Sequence, residues 1–307
     1  MNVVIAGAGS IGLLLGSFLA EAGMAVTFYV QREEQARLIR NEGIQRINQD
    51  GTASRYDVGV TTDISKVSPS ALWIVAVKYA GLRSLLSEMQ QARIENPVLF
   101  VQNGVGHMEL VADVPLPHVA FATVEHGARR ADDRTVSHNG VGMLTIAVAQ
   151  GDRHLFDELG QAHSDSFPIS YHTNAEQILM RKVLINCMIN PLTAILKVKN
   201  GELLTNQHCR MLFDQLYDEL MTTFPEVQST LSYEDVASVC QKTARNQSSM
   251  LTDCLVGRPM EIETIVTAVI RKANKRKKSL PLLTMLETML YAVNQEGEAL
   301  EQHIKNY

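Results

Sequence analysis

The spacing of hydrophobic and polar positions changes character along this chain of 307 residues. It opens with an unbroken apolar run, Val3-Val4-Ile5-Ala6, which predicts a strand buried on both faces. Gly7-Ala8-Gly9-Ser10-Ile11-Gly12 follows directly, and Leu13, Leu14, Phe18 and Leu19 then recur at helical spacing. Further apolar runs at 25–30, 71–77 and 97–101 alternate with helical segments at 82–89 and near 108–111. That alternation predicts a parallel sheet with helices on both faces. The segment 43–62 breaks the rhythm, with Asn48-Gln49-Asp50-Gly51 between two alternating stretches, and predicts a hairpin. From 119 to 148 the runs are strand-like again and contain Asn139-Gly140, a turn signal, so they are expected to extend the sheet antiparallel. Near Thr173 the period becomes helical for the remainder, around 174–196, 202–224, 232–246, 256–273 and 281–303. Pro191, Pro225, Pro259 and Pro281 punctuate these segments. The expectation is an α/β domain over 1–172 and an all-α domain over 173–307, with an active site in the cleft between them. No internal repeat is visible.

The strand-turn-helix setting gives the glycines chemical meaning. Gly7 permits a tight turn, Gly9 lets the backbone approach a pyrophosphate, and Gly12 lets the helix pack closely on the strand. Helix N-terminal N–H groups and the positive end of the helix dipole suit phosphates. Residues Gly7, Ala8, Gly9, Ser10, Ile11 and Gly12 are therefore expected to bind a dinucleotide in a Rossmann domain. About twenty residues further on, an NAD enzyme usually carries an acid for the ribose 2′-hydroxyl. Here Gln31-Arg32 occupies that place, and an arginine fork suits a 2′-phosphate, which favours NADPH/NADP+. Lys78, at the end of an apolar strand, is a second candidate for the phosphates.

Composition narrows the class. The chain is 46% hydrophobic and 20% charged with a net charge of −5, which argues against a nucleic-acid partner. Its N-terminal apolar stretch is accounted for by strand and helix, so no signal peptide is read, and no apolar run is expected to span a membrane. The four cysteines, Cys187, Cys209, Cys240 and Cys254, lack metal-ligand spacing and read as reduced, mostly buried thiols of a cytoplasmic protein. No metal site is expected. Arg271-Lys272-Ala273-Asn274-Lys275-Arg276-Lys277-Lys278 reads as a solvated helix end rather than a polyanion patch.

Candidate chemistry concentrates on one apolar segment. Lys182, Asn186 and Asn190 stand four residues apart, one above the other on a helix, among Val183, Leu184, Ile185, Cys187, Met188 and Ile189. Polar groups in such surroundings need partners, and a binding site supplies them, although a structural polar ladder would as well. For reduction of a ketone by a nicotinamide, a lysine ammonium can protonate the developing alkoxide. Asn246 and Ser249 suit a carboxylate or hydroxyl but are equally ordinary as a cap or loop, and Glu261 has an equal reading as an exposed acid in the first turn of a helix. Asn103, after Gln102 at a strand end, can meet the nicotinamide ribose or simply make a turn.

Several of these motifs, in order, resemble the ketopantoate reductase family. They are the glycine loop, Gln102-Asn103-Gly104, His126-Gly127-Ala128-Arg129-Arg130 and Lys182-x3-Asn186-Cys-x-x-Asn190-Pro191-Leu192-Thr193-Ala194, then Asn200-Gly201-Glu202-Leu203, Asn246-x-x-Ser249-Met250 and Glu261-Ile262-Glu263. The resemblance implies NADPH-dependent reduction of 2-dehydropantoate to (R)-pantoate on the route to pantothenate and coenzyme A. It also implies a helical domain like that of the 6-phosphogluconate dehydrogenases. Lys182 becomes the general acid, and Asn186, Asn190, Asn200, Asn246 and Ser249 become substrate contacts. Asn103 serves both ribose and substrate, while Ala128 and Glu261 line the cofactor. Arg32 aligns with the family's arginine to within one position. Two rivals stand beside this reading: another 2-ketoacid or β-hydroxyacid reductase of the same superfamily, and a non-catalytic NADP(H) sensor. Apolar positions on the C-terminal helices permit a homodimer.

Overall fold

The structure, a computed structural model, describes residues 1–305, with side-chain surroundings through Asn294. The chain divides into two compact units: Met1–Gln102 with His107–Leu179, and Asn103–Gly106 with Met180–Tyr307. The short loop Asn103–Gly106 thus belongs to the second unit although the strand before it belongs to the first.

The first unit is built on an eight-stranded sheet in the order β12-β11-β8-β7-β6-β1-β2-β5. Its strands are β1 (Asn2–Ala6), β2 (Ala25–Tyr29), β5 (Gly59–Thr61), β6 (Leu72–Val75), β7 (Val98–Phe100), β8 (Val119–Val124), β11 (Leu144–Gln150) and β12 (Ile169–His172). From β8 to β5 all pairs are parallel, and β11 turns antiparallel against β8. Every residue of β6, β7 and β8 is buried, as expected where a parallel sheet is covered on both faces. A second sheet, β4-β3-β10-β9, holds β3 (Ile44–Ile47), β4 (Ala53–Tyr56), β9 (Gly127–Arg130) and β10 (Thr135–Gly140). Helix α1 (Ser10–Glu21) packs against strands of both sheets, which is why it is apolar on all sides. Helices α2 (Glu33–Glu42), α3 (Tyr79–Gln91), α4 (Gly106–Ala112) and α5 (His154–Asp157) complete the alternation.

The 43–62 hairpin forms as expected, as β3 and β4, and lies in the second sheet. One expectation changes. Within 119–148, only β8 and β11 lie in the main sheet, while β10 pairs with β9 on one side and with β3 on the other. Asn139-Gly140 lies within β10, and the actual turn is made by Asp132, whose carboxylate accepts from the N–H groups of Arg134 and Thr135.

The second unit carries α6 (Ala175–Leu196), α7 (Glu202–Thr205), α8 (Gln207–Thr223), α9 (Tyr233–Lys242), α10 (Ser249–Leu255), α11 (Ala268–Lys275) and α12 (Pro281–Lys305). The predicted 202–224 helix is broken at Asn206, whose side chain caps α8 by accepting from His208 and Cys209 N–H. A Ser232–Asp235 capping box starts α9, and the Glu219 carboxylate accepts from Leu282 and Leu283 N–H at the start of α12. The predicted 256–273 helix is shifted: α10 precedes it, and a π-helical turn, Glu263–Thr267, leads into α11. Pro191 does not end α6 but sits inside it, where Thr193 Oγ1 donates to the Ile189 and Asn190 carbonyls. Alone among the described helices, α6 is long and apolar enough to cross a membrane, contrary to expectation, yet 72% of its most apolar window is buried inside the protein. The basic run closes α11, with Lys278 N–H returning to Ala273 O, Arg276 paired to Glu226 at 2.5 Å and Arg271 to Glu263 at 3.5 Å. Cations there complement the helix dipole.

Candidate functional site

In the first unit, the glycine loop leaves β1 and enters α1 with Gly9 as N-cap, and no side chain caps the helix. Gly7 has φ +101°, and a Cβ at Gly12 would run into the Gly7 carbonyl, so both glycines are required for the turn. A Cβ at Gly9 would meet nothing within 4 Å, so the face above the helix N-terminus is open. Ala8, Ser10 and Ile11 complete a loop whose free N–H groups fit a dinucleotide pyrophosphate. Buried Gln35 braces this loop: its Nε2 donates to Ala8 O at 3.1 Å and to Asp133 O at 2.8 Å.

Arg32 lies just past β2 and is half exposed, with Nη2 2.6 Å from Asp133 Oδ1. Arg130 Nη1 stands 3.6 Å from the same oxygen. Hydrogen bonding from Arg32, reinforced by the charges of Arg32 and Arg130, holds the Asp133 carboxyl below the usual carboxylate range. Two guanidiniums therefore share one carboxylate beside the braced loop. Lys78 is the exposed N-cap of α3, and Ala128 is half-buried on β9 opposite His138.

In the second unit the structure brings three of the predicted residues into a line. Lys182 Nζ donates to Asn103 Oδ1 at 3.1 Å, and Asn103 Nδ2 donates to Glu261 Oε2 at 3.2 Å. The amide thus lies between an ammonium and a carboxylate with its dipole aligned to both, which fixes which end faces the lysine. Asn186 and Asn190 follow Lys182 on α6, and among the described residues neither side-chain amide makes a hydrogen bond within the protein. Asn200 is buried; its Nδ2 donates to Thr243 Oγ1 at 2.9 Å, while its Oδ1 is buried without a partner. A buried acceptor left open is costly, and a hydroxyl donor would satisfy it. Asn246 and Ser249 are exposed, and Asn246 O accepts from Asn200 N–H, so the two asparagines are tied by backbone.

Sequence reasoning passed over Thr193 and Ser248. Thr193 Oγ1 and Ser248 Oγ, both buried, lie 2.7 Å apart and join α6 to the N-terminus of α10 beside Ser249. Thr193 stands out in the apolar segment 188–196, whereas the polar run Arg245-Asn246-Gln247-Ser248-Ser249 gives no signal for Ser248 in particular. Gln35 and Asp133 also went unnoticed, because their partners are 98 and 101 residues distant in the chain. A surface cavity of about 810 Å³, lined by residues including Lys199, Tyr233 and Arg245, lies beside the Asn200–Asn246 link and includes neither Lys182 nor Asn103. Among the described residues no cluster could hold a metal ion, and all four cysteines are free thiols.

Comparison with known proteins identifies the family. The family profile "Ketopantoate reductase PanE/ApbA" matches residues 3–151, and its C-terminal counterpart matches 174–294. A 2-dehydropantoate 2-reductase of Listeria innocua is 36% identical over 97% of this chain and 98% of its own. One from Bacillus subtilis is 36% identical over 89% and 91%. The crystal structure of a probable 2-dehydropantoate 2-reductase from Bacillus subtilis superposes with a TM-score of 0.86 at 33% identity, covering 95% of this chain and 100% of that one. D-mandelate dehydrogenase with NADH shares the fold at TM-score 0.84 and 22% identity, over 97% and 100% of the two chains. The chain belongs to the ketopantoate reductase family.

Proposed function

We propose that the chain reduces 2-dehydropantoate to (R)-pantoate with NADPH, with Lys182 as the proton donor. The observation that carries this reading is the Lys182–Asn103–Glu261 line: an ammonium in an apolar helix, oriented by a fixed amide, is poised to meet an oxygen on which negative charge develops. The nicotinamide, when bound, supplies the hydride. Lys182 donates a hydrogen bond from Nζ to the ketone oxygen and transfers that proton as the alkoxide forms. Asn186 and Asn190 orient the carboxylate and ketone from the same helix face. Asn200 Oδ1 accepts from the substrate hydroxyl, with Asn246 and Ser249 beside it. Asn103 also serves the nicotinamide ribose, and Ala128 and Glu261 line the dinucleotide. Gly7 through Gly12 hold the pyrophosphate, and Arg32 with Lys78 holds the 2′-phosphate, since a guanidinium and an ammonium both suit an anion.

We infer a cytoplasmic protein that pairs as a homodimer through exposed apolar positions of α12, Met285, Met289 and Tyr291. A dimeric ketopantoate reductase of Staphylococcus aureus shares its fold, at TM-score 0.74 and 20% identity over 97% of this chain and 100% of that one. The test of the mechanism is Lys182→Ala in a steady-state assay beside an NADPH titration. Loss of a positioned proton donor lowers kcat by about 10²- to 10⁴-fold, while NADPH affinity stays near that of the parent. Turnover at the parent rate in Lys182→Ala would contradict it.

A further inference from the structure

The π-helical turn Glu263–Thr267 has a consequence for the lysine. A π turn adds a residue to the helical ring and frees carbonyls from their usual helical donors, and such turns recur at functional sites. Here two of the carbonyls of that turn are taken by other elements. Thr264 O accepts from Val105 N–H at 3.3 Å, and Ile265 O accepts from the Cys187 thiol at 3.2 Å. Val105 lies two residues past Asn103, and Cys187 lies on α6 next to Asn186 and five residues past Lys182. Glu261, which holds the far end of the Asn103 amide, lies two residues before the same turn. One backbone feature thus binds the loop carrying Asn103, the helix carrying Lys182 and the carboxylate that orients the amide between them.

Gly104 makes the approach possible. Its φ is +83°, and a Cβ there would collide with the Thr264 carbonyl oxygen and come within 3.1 Å of the Thr264 Cβ. Thr264 is itself buried, so it has little room to yield. The thiol is fully buried and burial pushes its pKa upward, so it stays protonated and able to donate.

We propose that the π turn is a positioning device for the proton donor, with Gly104, Thr264 and Cys187 as the residues that hold Asn103 against Lys182. The inference rests on the assignment of Lys182 as the proton donor. A displacement of about 1 Å at a reacting group can cost about 10²-fold in rate. That is the expected loss of kcat for Gly104→Ala, since the new Cβ forces the Asn103–Gly106 loop away from Thr264. Cys187→Ala and Cys187→Ser lose similar volume and differ by a hydroxyl donor, so they isolate the hydrogen bond. Cys187→Ala should lose about tenfold in kcat and Cys187→Ser should recover most of it, a tenfold rate change being about 1.4 kcal/mol. Each variant is assayed with 2-dehydropantoate, and NADPH binding is titrated by fluorescence for stoichiometry and Kd. The expectation is one NADPH per chain in every variant, with Kd unchanged in the two Cys187 variants so that their loss lies in kcat alone, whereas Gly104→Ala, which also moves Asn103 from the ribose, raises Kd as well. A crystal structure of Gly104→Ala should show the Lys182–Asn103 hydrogen bond broken. The proposal is overturned if that bond persists, if kcat is unchanged in Gly104→Ala and Cys187→Ala, or if Cys187→Ser is no better than Cys187→Ala. Failure of the mechanism itself is read separately, from the turnover of Lys182→Ala.

Discussion

Asn103 joins the charged groups of the candidate site, because one amide faces the Lys182 ammonium and the Glu261 carboxylate at once. An amide so placed cannot turn over without setting its N–H₂ against the ammonium, so its orientation is fixed by electrostatics rather than by packing. Arg32 is engaged in the opposite sense. Its ion pair with Asp133 is largely solvent-exposed and so worth little to stability, which leaves the guanidinium available to a stronger anion. Arg32→Ala should therefore weaken NADPH far more than NADH, by about 10- to 100-fold, as a charged hydrogen bond of about 1.5–3 kcal/mol implies. Asp133→Asn removes the competing carboxylate and should tighten NADPH several-fold without changing NADH. Calorimetric titration of both dinucleotides checks the pair, and equal losses for NADPH and NADH in Arg32→Ala would remove Arg32 from the 2′-phosphate.

Among the elements, the buried histidines of the first unit give a pH dependence with a definite sign. His107 is buried with neither ring nitrogen partnered, and burial lowers its pKa to about 3. Burial, followed by the charge of nearby His138, lowers His126 to about 4. Below the ordinary value of about 6.5 the unfolded chain takes up protons that the folded unit refuses, so stability rises with pH across that window and is lost as pH falls toward 4. Each unit of depression is worth about 1.4 kcal/mol. The melting temperature should fall steadily from pH 7 to pH 5, ahead of carboxylate titration, and His107→Leu should flatten the slope; a slope unchanged in that variant would contradict the account. The same elements show what the sequence made legible. Strand β1, the glycine loop and α1 could be read because a buried strand, a required turn and a helix period stand side by side. Lys182, Asn186 and Asn190 could be read because polar residues stand out in an apolar helix. The π turn could not, since one added residue barely disturbs a hydrophobic period. The β9–β10 turn was missed because Asp132 makes it with its side chain while Asn139-Gly140 carried the stronger local signal. The assignment of hairpins to a second sheet depends on pairing across the chain, which no local pattern encodes.

At the scale of the whole molecule, the proposed reaction divides its parts between two units: the first carries the glycine loop with Arg32, and the second carries Lys182, Asn103 and the asparagines of α6. The exposed apolar side chains of α12 lead to a specific expectation for assembly. Light scattering should report a dimer, and Met285→Asp with Met289→Asp should convert it to a monomer; a monomeric parent protein would contradict that assignment. The family assignment narrows the substrate to a 2-keto acid, and the orphaned Asn200 acceptor favours one that also carries a hydroxyl. The decisive measurement is the steady-state oxidation of NADPH with 2-dehydropantoate beside other 2-keto acids. The highest kcat/KM for 2-dehydropantoate is the predicted result, and preference for another acid, or turnover of none, would contradict it.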